Sequence, residues 1–123
     1  TSLEDLLKNT PDGSLPKLSI ADTLDQVDFN QRQELLKLLC LKVKYNGTIE
    51  LTGADISELN LAIRRGDVDQ LSINQILYGN NHKSVSDLDY TINILETNGF
   101  KIVNERRNKY IYYIMAQRLF KND

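Results

Sequence analysis

The sequence predicts an α/β fold, a sheet flanked by helices in one domain. Three observations predict it. Short runs with strand character stand at 17–22, 48–53, 100–107 and 110–118, with helical patterns between them. The run Tyr110-Ile111-Tyr112-Tyr113-Ile114-Met115-Ala116 is apolar on both faces, as a strand covered on both sides of a sheet must be. The chain has 123 residues, 41% of them apolar and 26% charged, which suits one globular domain with one core.

The elements follow in order. Residues 2–8 have the pattern of a short helix, and Thr10-Pro11-Asp12-Gly13-Ser14 is a turn cluster. In the strand 17–22, Leu18 and Ile20 share one face, Ser19 and Ala21 the other. Asp28 is in place to cap a helix, with Gln31 at the capping-box spacing. That helix should run from Phe29 to Lys44 and stop near Asn46-Gly47. Asn30, Gln33, Glu34, Lys37 and Lys44 form its polar stripe. Leu35, Leu36, Leu38, Leu39, Cys40 and Val43 cover most of the rest, an arc broad enough to bury on more than one side. Thr48 to Gly53 reads as a strand with Ile49 and Leu51 inward, followed by helical pieces near 55–65 and 72–79. A helix from Ser86 to Asn98 is predicted from Ser86 as cap, Asp87 and Asp89 at its positive end and Gly99 as stop. Val85, Leu88, Ile92 and Leu95 would be its buried stripe. The strands 100–107 and 110–118 are joined by a tight turn around Asn108.

Composition excludes several classes. The net charge is −2 with both signs interspersed, which argues against a protein built to grip nucleic acid. The single cysteine, Cys40, forms no internal disulfide and lies among leucines as a small hydrophobe, in keeping with a reducing environment. No apolar stretch reaches the ~18 residues of a membrane span, and the first residues lack signal-peptide character. A soluble, cytoplasmic protein is expected. Abundant Asn, Ile, Lys and Tyr fit AT-rich coding, as in many microbes and viruses.

The order of these elements resembles the second half of class I S-adenosylmethionine methyltransferases. In that family a helix ends in a Leu-Lys-x-Gly-Gly type turn before a strand that closes near Asp. Leu41-Lys42-Val43-Lys44-Tyr45-Asn46-Gly47-Thr48-Ile49-Glu50-Leu51 stands in that position, and Asp55 follows. His82-Lys83-Ser84 through Leu95-Glu96-Thr97-Asn98-Gly99-Phe100 resembles the family's closing helix, Gly-Phe strand and antiparallel hairpin, and Leu77-Tyr78-Gly79 is also similar. The resemblance spans about residues 17–118, with 1–16 as an N-terminal arm and 17–123 as the truncated Rossmann-like domain. It implies a mixed four-stranded sheet in the order 17–22, 48–53, 110–118, 100–107, the antiparallel strand lying in the hairpin. It also implies an absence. The family holds its cofactor with a glycine-rich turn and an acidic residue in its first half, and no pair among Gly13, Gly47, Gly53, Gly66, Gly79 and Gly99 makes a Gly-x-Gly turn. No cofactor, metal or catalytic residue is therefore assigned. Asp22, at the end of the first strand, would lack the opposite wall of the cleft.

The candidate sites are few. His82, the one histidine, has no Cys or His companion for zinc and reads as a loop residue. Asp22, Asp25, Asp28 and Asp55 lie near strand ends, where α/β proteins place ligands, but caps and turns account for most of them. Arg106-Arg107-Asn108-Lys109 forms a basic hairpin tip for phosphate or an acidic partner. Strand 17–22 becomes a sheet edge, and a bare edge invites another chain unless the arm covers it. Leu18, Ile20, Leu41, Arg106, Arg107 and Lys109 are thus the expected partner contacts, for a protein partner or a second copy.

The functional expectation is a non-catalytic methyltransferase-like module for structure or protein interaction, in a larger assembly such as a virus particle. One alternative is the accessory subunit of a split methyltransferase. The other is a winged-helix DNA-binding protein, with 86–98 as recognition helix and 100–118 as wing.

Overall fold

The computed structural model describes residues 3–21 and 23–119. Four strands, β1 (Leu15–Ala21), β2 (Val43–Ala54), β3 (Phe100–Asn108) and β4 (Ile111–Arg118), form one sheet in the order β1-β2-β4-β3. β1 and β2 are parallel, and β4 runs antiparallel to both of its neighbours. This is the order and sense the resemblance implied. The parallel β1–β2 pair sets aside the winged-helix alternative.

Five helices join the strands: α1 (Leu3–Asn9), α2 (Phe29–Lys42), α3 (Ile56–Arg65), α4 (Gln70–Tyr78) and α5 (Leu88–Thr97). One face of the sheet carries Leu18, Ile20, Ile49, Leu51, Tyr112, Ile114 and Ala116. It packs with Leu36, Leu39 and Cys40 of α2 and Leu88, Ile94 and Leu95 of α5 into a single core. The alternation in β1 and β2 is thus as the sequence predicts. The opposite face is different. It presents Lys17, Ser19 and Ala21 exposed on β1, with Thr48, Glu50, Thr52, Tyr113 and Met115 half-buried beside them. β4 is interior by pairing but covered by helices on one face.

Several boundaries moved for physical reasons. α2 stops at Lys42, two residues early, because Val43 turns to extended angles and enters β2. Arg118 of β4 donates to the Val43 carbonyl at 2.6 Å and holds the helix end there. Asn46 and Gly47 then form a bulge: Val43 to Thr48 on β2 faces only Leu15 to Lys17 on β1. Asn46 takes a left-handed φ of 68°, and a Cβ at Gly47 would lie 2.9 Å from the Lys44 and Pro16 carbonyl oxygens. Asp28 occupies the N-cap position of α2 without a side-chain cap bond, so the capping box does not form. α5 is capped by Asp87, which accepts from the Tyr90 N–H at 2.8 Å, and not by Ser86. Its buried stripe is Leu88, Thr91, Ile94 and Leu95, with Val85 and Ile92 half-buried. Leu38 is exposed and Leu35 half-buried, so the broad apolar arc of α2 is buried on one side among the described residues. The arm ends where β1 begins at Leu15. α1 lies against α2, and the turn after it is tied to the end of α2 by Gly13 N–H to Leu41 O and by Lys42 to Asp12, both 2.8 Å.

Cys40 is fully buried, and burial pushes its thiol up to about 12. A thiol reagent at pH 8 should leave the folded chain untouched and label it fully in denaturant. The unfolded thiol titrates near 9.0, so its linked contribution is complete below that value and is lost as pH climbs toward 12. Prompt labelling of the native chain would contradict this packing.

Candidate functional site

The carboxyl ends of the two parallel strands meet a buried polar hub. After β1 the chain makes one turn of 3-10 helix, Thr23–Gln26, which brings Asp25 under the end of β2. One Asp25 oxygen accepts from the Ala54 N–H at 3.0 Å and the other from Arg32 Nη1 at 2.8 Å. The same Arg32 nitrogen donates to Leu24 O at 2.9 Å and Ser84 Oγ at 3.0 Å. Nη2 donates to Ser86 Oγ at 2.6 Å. Arg32 is 2% exposed and Asp25 1%. Ser84 also donates to Val27 O at 2.6 Å, while the Lys83 and Ser84 amides donate to Asp25 O. One guanidinium thus ties the loop after β1, the first turn of α2 and the segment before α5 to the end of the sheet. Its burial is tolerable because the charge is paired and four of its hydrogen bonds are made.

Asp55 closes β2 beside this hub. It is fully buried; one oxygen accepts from Ser57 N–H to cap α3, and the other from Arg107 Nε at 2.9 Å. That bond with Asp55 raises the Arg107 guanidinium above its ordinary value. Arg107 therefore pins the β3–β4 hairpin to the start of α3, with its side chain 37% exposed. Arg106 stacks over the Tyr113 ring, 4.6 Å from its centroid, and Lys109 forms the turn with φ 59°. The basic tip is tied to the sheet and to α3 through these contacts, and its residues remain exposed. Leu18 and Ile20 are core residues, 6% and 8% exposed, so they are not side-chain contacts for a partner. What the β1 edge offers is its backbone, with Lys17, Ser19 and Ala21 outward. Leu41 is half-buried and holds Gly13 through its carbonyl. Asp22 lies outside the described residues.

Two clefts adjoin the strand ends. One, about 220 Å³, lies between α4 and the end of β2 and is lined by Ser72, Gln75 and Ile76 with Ala54, His82, Tyr110 and Ile111. His82 Nδ1 is 2.7 Å from the Ile76 carbonyl, which sets the ring's orientation. The other, about 330 Å³, shares Tyr110 and is lined by charges of both signs, Glu58, Arg65, Asp67 and Lys109. Among the described residues no three His, Cys, Asp or Glu side chains are placed to hold a metal ion. No helix among them is long and apolar enough to cross a membrane.

Comparison with solved structures decides the fold. An O-methyltransferase family protein from Burkholderia thailandensis superposes with a TM-score of 0.69 at 16% identity, covering 97% of this chain and 34% of that one. This is a partial methyltransferase fold. A SAM-dependent methyltransferase from Archaeoglobus fulgidus gives 0.66 at 18% identity, over 95% of this chain and 65% of that one. One from Methanosarcina mazei gives 0.65 at 17%, over 98% and 66%. The chain thus spans a third to two thirds of the methyltransferases it resembles. No protein-family model matches the sequence, nor does any curated protein. In this methyltransferase-like frame, the hub of Asp25 and Arg32 stands at the strand ends where open α/β sheets bind ligands, and β1 is an edge strand among the described residues.

Sequence reasoning found Asp25 and Asp55 near strand ends, read Ser86 as a helix cap, and missed Arg32 and Ser84. One signal was present. Arg32 lies in line with Leu36, Leu39 and Val43 at helical spacing, and a charge on a buried stripe requires a buried partner.

Proposed function

We propose that this chain is an interaction module, a methyltransferase-like half-unit that docks edge-on against a protein carrying the complementary α/β half. On its own it transfers no methyl group. The observation that carries this reading is the free edge of β1: a parallel strand of seven residues with no strand on its outer side among the described residues. Parallel sheets are stable when flanked and covered on both faces. The other edge, β3, is guarded by Lys101, Glu105, Arg106 and Arg107 and by a bulge between Ile102 and Asn104. β1 carries Pro16 and Lys17 at its start, but Leu18 to Ala21 has no such protection. α1 lies against α2, and β1 pairs with β2 alone among the described residues.

The residues at the strand ends do not fit an adenosyl cofactor by themselves. Asp25 and Asp55 are spent on Arg32, Arg107 and backbone amides. Gly47 and Gly53 are crowded by carbonyls and by Tyr112, and Gly66 closes a helix. No methyl-transfer step is therefore assigned to this chain. The same edge would serve recruitment into a larger assembly, a virus particle included.

Calorimetry with S-adenosylmethionine should show no binding by the isolated chain. Purification from native extract should yield a stoichiometric companion with a glycine-rich turn after its first strand. Micromolar cofactor binding by the isolated chain, or a monomer without companion in extract, would overturn the reading.

A further inference from the structure

We infer that the cleft between α4 and the end of β2 binds a single uncharged ring bearing a hydroxyl or amide group. As the substrate side of the assembled unit, this rests on the half-unit reading above; as a binding site it stands on its own geometry.

Four observations carry it. The cleft lies outside the carboxyl end of β2, the position where open α/β sheets take ligands. Its lining has no Asp, Glu, Lys or Arg in a chain where 26% of residues are charged, whereas the cleft sharing Tyr110 mixes both signs. Ile76, Ile111 and Tyr110 supply apolar and aromatic wall, while the Gln75 amide supplies a donor and an acceptor. The floor is fixed: Ala54 N–H is held by Asp25 at 3.0 Å, and Asp55 N–H by Tyr110 O at 2.8 Å.

Size and access agree. A cavity of about 150 Å³ is enough for benzene, so a cleft of about 220 Å³ has room for one substituted ring. α4 forms the outer wall, and none of its residues is buried. Such a helix opens at low cost and admits a ligand without disturbing the core.

The test is a titration of the isotopically labelled chain with 4-hydroxybenzamide, followed by amide chemical shifts. Saturable shifts at Gln75, His82 and Ile111 are expected, with a dissociation constant of about a millimolar, as for one ring on an open cleft. Gln75→Leu should weaken binding about fivefold, the loss of one hydrogen bond, while its dispersed spectrum shows that it is folded. Benzoate, which brings a charge, and toluene, which brings no polar group, should each bind at least about fivefold more weakly by the same reasoning. Absence of saturable shifts, or equal binding of benzoate or toluene, overturns the inference. Either failure leaves the β1 docking reading untouched, because no residue of β1 lines this cleft.

Discussion

Asp25→Ala should lower the stability of the chain by about 3–5 kcal/mol, the usual consequence of stripping one partner from a buried ion pair. The substitution strands the Arg32 guanidinium at 2% exposure and orphans the Ala54 N–H together. A domain of this size has ~5–15 kcal/mol in total, so the loss is a large share of the margin. Urea unfolding reads the effect as a fall in midpoint at unchanged slope. Asp25→Asn keeps an acceptor for Ala54 and should cost visibly less. Combining it with Arg32→Met removes the unpaired charge and should recover part of the loss, since a neutral pair no longer needs compensation. Equal costs for Asp25→Ala and Asp25→Asn would show that the hub is not held by the hydrogen bonds described.

Gly53→Ala is the second large effect. Gly53 pairs directly with Tyr112 across the β2–β4 ladder, and the Tyr112 ring lies over it. An added Cβ would stand 2.8 Å from the phenol oxygen and 2.9 Å from the ring carbon that bears it. Tyr112 is fully buried, and burial raises its phenol above the ordinary value, so the ring has no open side to move into. Overpacking of this kind costs about 1–3 kcal/mol. Thr91 and Ser86 lie against the same region, Thr91 Oγ1 at 3.5 Å from the Tyr112 hydroxyl, so the displacement reaches the hub. Thermal unfolding of Gly53→Ala checks it; an unchanged midpoint would mean that the ring relocates freely.

The fold was legible because its signals are local. The period-2 runs at Leu18/Ile20 and Ile49/Leu51 and the turn residues at Asn108 and Gly99 each follow from nearest neighbours, whereas the doubly apolar run of β4 predicts cover on both faces and has its core on one. Boundaries were less legible where a distant residue intervenes. The end of α2 depends on Arg118, which is 75 residues away in sequence from the Val43 carbonyl it holds. The cap of α5 passed from Ser86 to Asp87 because Ser86 is taken by Arg32, 54 residues distant. The hub itself joins residues on four segments, and no pattern along the chain announces that assembly beyond one arginine on an apolar stripe. The ion pair of the basic tip was illegible for the same reason: Arg107 bonds Asp55, 52 residues away in sequence. Leu18 and Ile20 read as contacts because their strand is an edge, but the face they share is the core face.

Amide hydrogen exchange along β1 tests the account most directly. In a parallel strand alternate residues bond to each neighbour, so in the isolated chain alternate amides from Lys17 to Ala21 should exchange rapidly while the others, bonded to β2, are protected. In the complex recovered from native extract the fast set should become protected as well. Slow exchange throughout β1 in the isolated chain, or an unchanged fast set in the complex, would contradict the claim that this edge is where the partner binds.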